Sequence, residues 1–177
     1  MHPPGTPRSP YTLTPLHHWP LTAVLAVQAR AYRPELIESA HTLAHKIAAA
    51  APTHPLSWAI ANPAGELLAY AIALPWHSAH TPQWNHSPAD APCAPADCLY
   101  LHDIAVTPTH TRQGLATTLL HHTLNQARRY PQALRLAALV AVQGAHPYWA
   151  RHGFTPQPPA APLHSFGPDA IWMTRPL

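Results

Sequence analysis

The stretch His110 to Leu120, HTRQGLATTLL, sets a glycine between a basic, amide-bearing turn and a strongly helical run, in a chain that holds only 6 glycines. Glycine at a helix start lets the backbone approach a ligand closely, and the free N–H groups of the first turn attract anions. The chemistry expected there is anion binding, with a phosphate as the natural anion. A second candidate is His102 in YLHDIAV, an imidazole on a strand-like run and so a possible proton acceptor. Cys93 and Cys98 share the loop-like APCAPADC, where two ligands could begin a metal site or close a small disulfide ring. No tight HxxxH or second CxxC completes a zinc set, so no metal is expected and the thiols are read as incidental.

These residues need elements to position them. Residues 1–10 read as a Pro-rich tail, and one domain is expected over 11–177. YTLTPL alternates like a short strand, and LTAVLAVQARAY after Pro20 has the spacing of an amphipathic helix that Pro34 stops. PELIESAHTLAHKIAAAA predicts a second helix. SWAIANPAGELLAYAIAL reads as a hairpin around Asn62-Pro63-Ala64-Gly65, followed by a long loop over roughly 75–97. CLYLHDIAV is a strand, TPTHTRQG a turn, and LATTLLHHTLNQARRY a helix ended by Pro131. LRLAALVAV is a buried strand, AHPYWARH a short helix leaving through Gly153-Phe154, and IWMT a final strand. The order β-α-α-β-β-β-α-β-α-β defines a mixed α/β chain.

Composition narrows the class of partner. The 177 residues are 47% hydrophobic, with no run long enough to span a membrane and no apolar signal core near the start, so a cytoplasmic protein without a membrane partner is expected. The charge of +3 comes from 10 basic and only 7 acidic residues, which reflects scarce acids more than a basic surface and does not imply nucleic acid. The 24 prolines and 16 histidines are scattered without a repeat and read as compositional drift.

DIAVTPTHTRQGLATTLL resembles the signature of the GNAT superfamily of acyl-CoA-dependent N-acyltransferases: a strand ending in V-x-P, then [Q/R]-x-x-G-x-[G/A] and a leucine-rich helix. Thr111, Gly114 and Ala116 occupy its marked positions, Thr111 replacing the usual Gln or Arg. HPYWARHGF is similar to the second hallmark, a short helix running into Gly-Phe. The resemblance implies a central twisted, mostly antiparallel sheet with a splayed strand pair and flanking helices. It also implies acetyl-CoA as acyl donor, its pyrophosphate wrapped by Thr111, Arg112, Gln113, Gly114, Leu115, Ala116 and Thr117, and its pantetheine arm paired with the main chain of Ile104, Ala105 and Val106. The partner it implies is a small-molecule or peptide amine.

For the proton acceptor, the resemblance to serotonin N-acetyltransferase-like members selects His102, with Tyr100 in place of their first histidine; a structural strand histidine is the other reading. Alternation puts Tyr100 and His102 on one face and Leu101 with Asp103 on the other, unless a bulge turns Asp103 outward. The family's acidic tyrosine falls at Trp149, which cannot act as an acid. Tyr148, one residue earlier, another group, or no acid at all then serves the departing thiolate. Trp76, His77, Trp84 and Asn85 are available as an acceptor wall, and no cluster of acids marks a polycation groove. Three functions follow from these residues: an N-acetyltransferase, a CoA-binding protein without catalysis, and a metal-binding protein.

Overall fold

The computed structural model describes residues 10–50, 52–90 and 94–177, so nearly all of the expected tail, and Cys93, lie outside the described residues. Seven strands form one sheet in the order β1-β2-β3-β4-β5-β7-β6. They are β1 (Thr12–Pro15), β2 (Trp58–Ala61), β3 (Leu67–Trp76), β4 (Cys98–Val106), β5 (Leu136–Ala141), β6 (Thr155–Pro156) and β7 (Ile171–Pro176). β4 and β5 are parallel and every other pair is antiparallel. The run LLAYAIAL is apolar on both faces because β3 is covered on both. On one side α3 (Leu115–Ala127) supplies Leu119, Leu120 and Leu124. On the other, α1 (Leu21–Ala31) and α2 (Ala40–Ala48) supply Val24, Val27 and Leu43. The hairpin turn is as expected: Gly65 takes φ +80°, and Asn62 Oδ1 accepts from the Glu66 N–H at 2.9 Å.

Two irregularities of β4 shape everything that follows. β4 and β5 pair only at Cys98–Leu136, Leu99–Ala137 and Tyr100–Ala138, after which the strands part and leave a wedge. Against β3, Ile72 faces Asp103 and Ala73 faces Leu101, so His102 is the extra residue of a bulge. The bulge corrects the strict alternation expected for this strand. Leu101 still packs against Leu120 and Leu124, but Asp103 turns to the opposite side, toward Tyr32 and Tyr70, the side that also receives Tyr100 and Ala105.

The second expected helix is divided. A short 3-10 turn, Pro34–Leu36, is followed by extended residues before α2 begins at Ala40. Ser39 is the reason: in β conformation (φ −65°, ψ 150°) it caps α2, its hydroxyl accepting from the Thr42 N–H at 3.2 Å. The extended link drives the Glu38 side chain into the protein. β3 runs to Trp76, into the span expected as loop, and the two-residue β6 carries no hydrophobic period that could announce it. No helix among the described residues is long and apolar enough to cross a membrane, and no group of three or more His, Cys, Asp or Glu among them is placed to hold a metal ion.

Candidate active site

Gly114 is the N-cap of α3 at φ +81°, ψ 1°, left-handed backbone that a Cβ disfavours; Arg112, also left-handed at φ +61°, turns the chain just before it. Residues Thr111 to Gly114 are exposed. Thr111 Oγ1 donates to the Pro108 carbonyl at 3.0 Å, and the Tyr11 hydroxyl donates to Gln113 Oε1 at 2.7 Å, fixing the turn from both ends. The N–H groups of Gly114, Leu115, Ala116 and Thr117 meet no acceptor among the described residues, as the first turn of a helix requires. Four free donors at a positive helix end are the chemistry that an anion requires.

The wedge between β4 and β5 opens beside this turn as a cleft of about 380 Å³. Its floor includes Leu101 to Ile104 of β4, its far wall Leu139, Val140 and Val142, and its rim Ala116 of α3 with Tyr148 and Trp149 of α4 (His146–Arg151). Ile104 thus borders the cleft, whereas Ala105 is buried and Val106 lies further along the strand. Trp149 packs on Phe154, ring centroids 5.7 Å apart, while the Tyr148 hydroxyl lies 3.4 Å from Thr117 Oγ1.

At the inner end of the cleft stands a network of buried polar groups. Glu38, its side chain wholly inaccessible, accepts from Lys46 Nζ at 2.5 Å, from the Asn85 N–H at 2.8 Å, and from His102 Nε2 at 2.7 Å. Burial alone would raise the Glu38 pKa; the charges and hydrogen bonds of His102 and Lys46 overcome it and hold the carboxyl at about 2. An ionised carboxylate only accepts, so the proton on Nε2 faces Glu38, and Nδ1 is left toward the Tyr100 hydroxyl at 3.3 Å. Burial pulls Lys46 below its ordinary pKa, against the attraction of Glu38. The His102 side chain is only 2% exposed.

Asp103 completes a second group. The Tyr70 hydroxyl donates to Oδ2 at 2.6 Å, and Tyr32 makes a short hydrogen bond to Oδ1 while standing 3.1 Å from the Ile104 carbonyl oxygen. Burial raises the Asp103 pKa despite the nearby His102 charge and the two phenols, and burial beside Asp103 pushes both phenols well above their ordinary value. Of the expected acceptor wall, Trp84 lies 6.1 Å from the His102 ring and borders a small chamber there. Asn85 clamps the long loop to α2, Oδ1 accepting from the Ser39 N–H at 2.9 Å. Trp76 borders a separate cavity. Cys98 is a buried thiol that burial, then the Asp97 charge, raise to about 12.

Glu38, Lys46, Tyr32 and Tyr70 are the site residues that sequence reasoning did not select. They meet β4 from 64, 56, 71 and 33 residues away, and no local motif announces such contacts. The available signals were the scarcity of acids and the cap-forming serine directly after Glu38.

A family model described as the acetyltransferase (GNAT) family matches residues 21–154. The chain belongs to that family of acyltransferase enzymes, and its splayed sheet and helix-terminal turn are the family's fold. No curated protein matches the sequence. Among solved structures it is similar to the ribosomal-protein-S18-alanine N-acetyltransferase from Escherichia coli, with 22% identity over 94% of this chain and 93% of that one, TM-score 0.65. It is also similar to the loading GNATL domain of CurA from Lyngbya majuscula, at 11% identity over 94% and 97%, TM-score 0.70. A third likeness is the NatC complex bound to Gag peptide and CoA, at 14% identity over 96% and 99%, TM-score 0.64.

Proposed function

We propose that the protein is an N-acetyltransferase that moves an acetyl group from acetyl-CoA to a primary amine of a small molecule or peptide by direct attack. One observation carries the reading: a single cleft runs from Ala116, in the first turn of α3, to His102, whose Nε2 meets the buried Glu38. The pyrophosphate sits on the turn from Thr111 to Thr117, and Gly114 allows its close approach. The pantetheine arm pairs with the main chain of β4 around Ile104 to Val106, where a strand partner is missing. A strand N–H polarises the thioester carbonyl.

The amine attacks as its neutral form. His102, oriented by Glu38, takes the proton directly or through water; Tyr148, at the cleft rim, protonates the thiolate. Thiol release from acetyl-CoA, followed with a panel of amines and peptides, tests the reading, and its absence with every acceptor refutes it. The second reading, CoA binding without catalysis, is favoured by the seclusion of His102 and by Trp149 at the family's tyrosine position. His102→Ala separates the two: slowed turnover at unchanged CoA affinity belongs to the enzyme, while the binder shows no turnover to lose.

A further inference from the structure

The route by which an acceptor reaches Asp103 is narrow. A chamber of about 30 Å³ adjoins the cleft, with Tyr32, His102 and Asp103 at its inner end and Leu36, Trp84 and Phe166 at its outer end. A water-sized group needs roughly 10–15 Å³ on this measure, so the chamber holds two or three such groups in file. An aminomethyl or aminoethyl tip fits. An α-amine on a branched carbon brings a side chain and a carbonyl to the same depth and does not.

Beyond the chamber, Leu36 and Phe166 also border an outer groove of about 480 Å³. The Trp84 and Phe166 rings meet edge to face, centroids 5.7 Å apart, and form one apolar wall of the chamber that Phe166 continues into the groove. Apolar rings along the passage suit a methylene stem, and Trp84 offers a π-face to a cation. The ring's standing neighbour, Lys46 at 6.0 Å, is neutralised by Glu38.

Charge agrees with shape. The chain has 7 acids in all, yet Asp103 faces the chamber and Glu35 and Asp169 border the groove. Arg33 and His164 share that groove, giving it mixed charge suited to a polar body rather than to a bare polycation.

Resting on the acetyltransferase reading above, we infer that the acceptor is an unbranched primary alkylamine, its methylene stem lying along the wall that Trp84 and Phe166 form, its body in the outer groove and its nitrogen against Asp103. A lysine side chain and a free alkyldiamine share that chemistry. Thiol release at saturating acetyl-CoA is compared for an N-terminally blocked peptide with one lysine, for 1,5-diaminopentane, and for a lysine-free peptide with a free N-terminal alanine. The inference expects kcat/KM for the better of the first two to exceed that for the alanine peptide at least about 10-fold, the low end of what pocket shape achieves. Which of the two leads identifies the source. Trp84→Ala, which removes that wall and widens the chamber, narrows the ratio while acetyl-CoA affinity holds. Equal or faster reaction of the alanine peptide overturns the inference and leaves the acetyltransferase reading standing; no release with any of the three, with acetyl-CoA bound, overturns the inference, and the acetyltransferase reading falls with it when the wider amine panel also gives none.

Discussion

Replacing Glu38 by glutamine keeps its shape and removes its charge from a site where the side chain is wholly buried and meets three donors. The environment lowers its pKa from 4.5 to about 2, which at roughly 1.4 kcal/mol per pH unit corresponds to about 3 kcal/mol favouring the ionised form. Removing one partner of a buried ion pair costs about 3–5 kcal/mol, because the other charge is stranded. Here Lys46 limits that cost: burial already disfavours its charged form, and losing Glu38 lowers its pKa further. The expectation for Glu38→Gln is therefore a loss of about 3 kcal/mol, a large part of the roughly 5–15 kcal/mol that holds a domain folded. Urea unfolding at pH 7 of the wild type, Glu38→Gln, Lys46→Met and the double variant measures it. The double variant should lose less than the sum of the singles, since it strands no charge. A Glu38→Gln loss under 1 kcal/mol, or strictly additive losses, would refute the reasoning.

The same carboxylate sets an acid limb. A folded pKa below the unfolded one gives stability that is complete above about 4.5 and lost as pH falls toward about 2, and Glu38→Gln should flatten that part of a stability–pH curve. Asp103 has the opposite sign: its raised pKa penalises the folded state once pH exceeds the unfolded value, so Asp103→Asn should match or exceed the wild type in Tm at pH 8, with the advantage shrinking in acid. A drop in Tm at pH 8 would show that the two tyrosine hydrogen bonds outweigh the buried charge. Tyr148→Phe should lower kcat about 10-fold or more with little change in CoA affinity, as removal of a proton donor does; an unchanged kcat would mean that the thiolate leaves unaided.

The order of elements was legible because each carries its own period: two for CLYLHDIAV, 3.6 for LATTLLHHTL, and turn chemistry at Asn62 to Gly65. Gly114 was legible as a helix start, because it stands between a polar turn and a leucine-rich run; its left-handed backbone is a finding of the structure. The bulge at His102 was foreseen only as an exception to alternation, because it exists as a register between β3 and β4 that neither strand encodes alone. That register decides which side receives Asp103. Glu38 was read inside a continuous helix because the apolar spacing runs unbroken from Leu36 to Ile47; Ser39 caps α2 instead, and that break is what buries the carboxylate. The sequence also showed no acidic cluster, yet folding gathers Glu35, Asp103 and Asp169 along one route from three places in the chain.

The central claim is that acetyl-CoA binds with its pyrophosphate on the first turn of α3. Titration calorimetry of acetyl-CoA against the wild type and Gly114→Asp tests it directly. A Cβ at Gly114 would meet nothing within 4 Å, so the substitution costs only about 1–2 kcal/mol of left-handed backbone strain and leaves the fold in place, as circular dichroism can verify. Micromolar binding by the wild type, abolished by a negative charge at this one position, is the predicted result. A folded wild type that does not bind acetyl-CoA, or a Gly114→Asp variant that binds it equally well, would contradict the account.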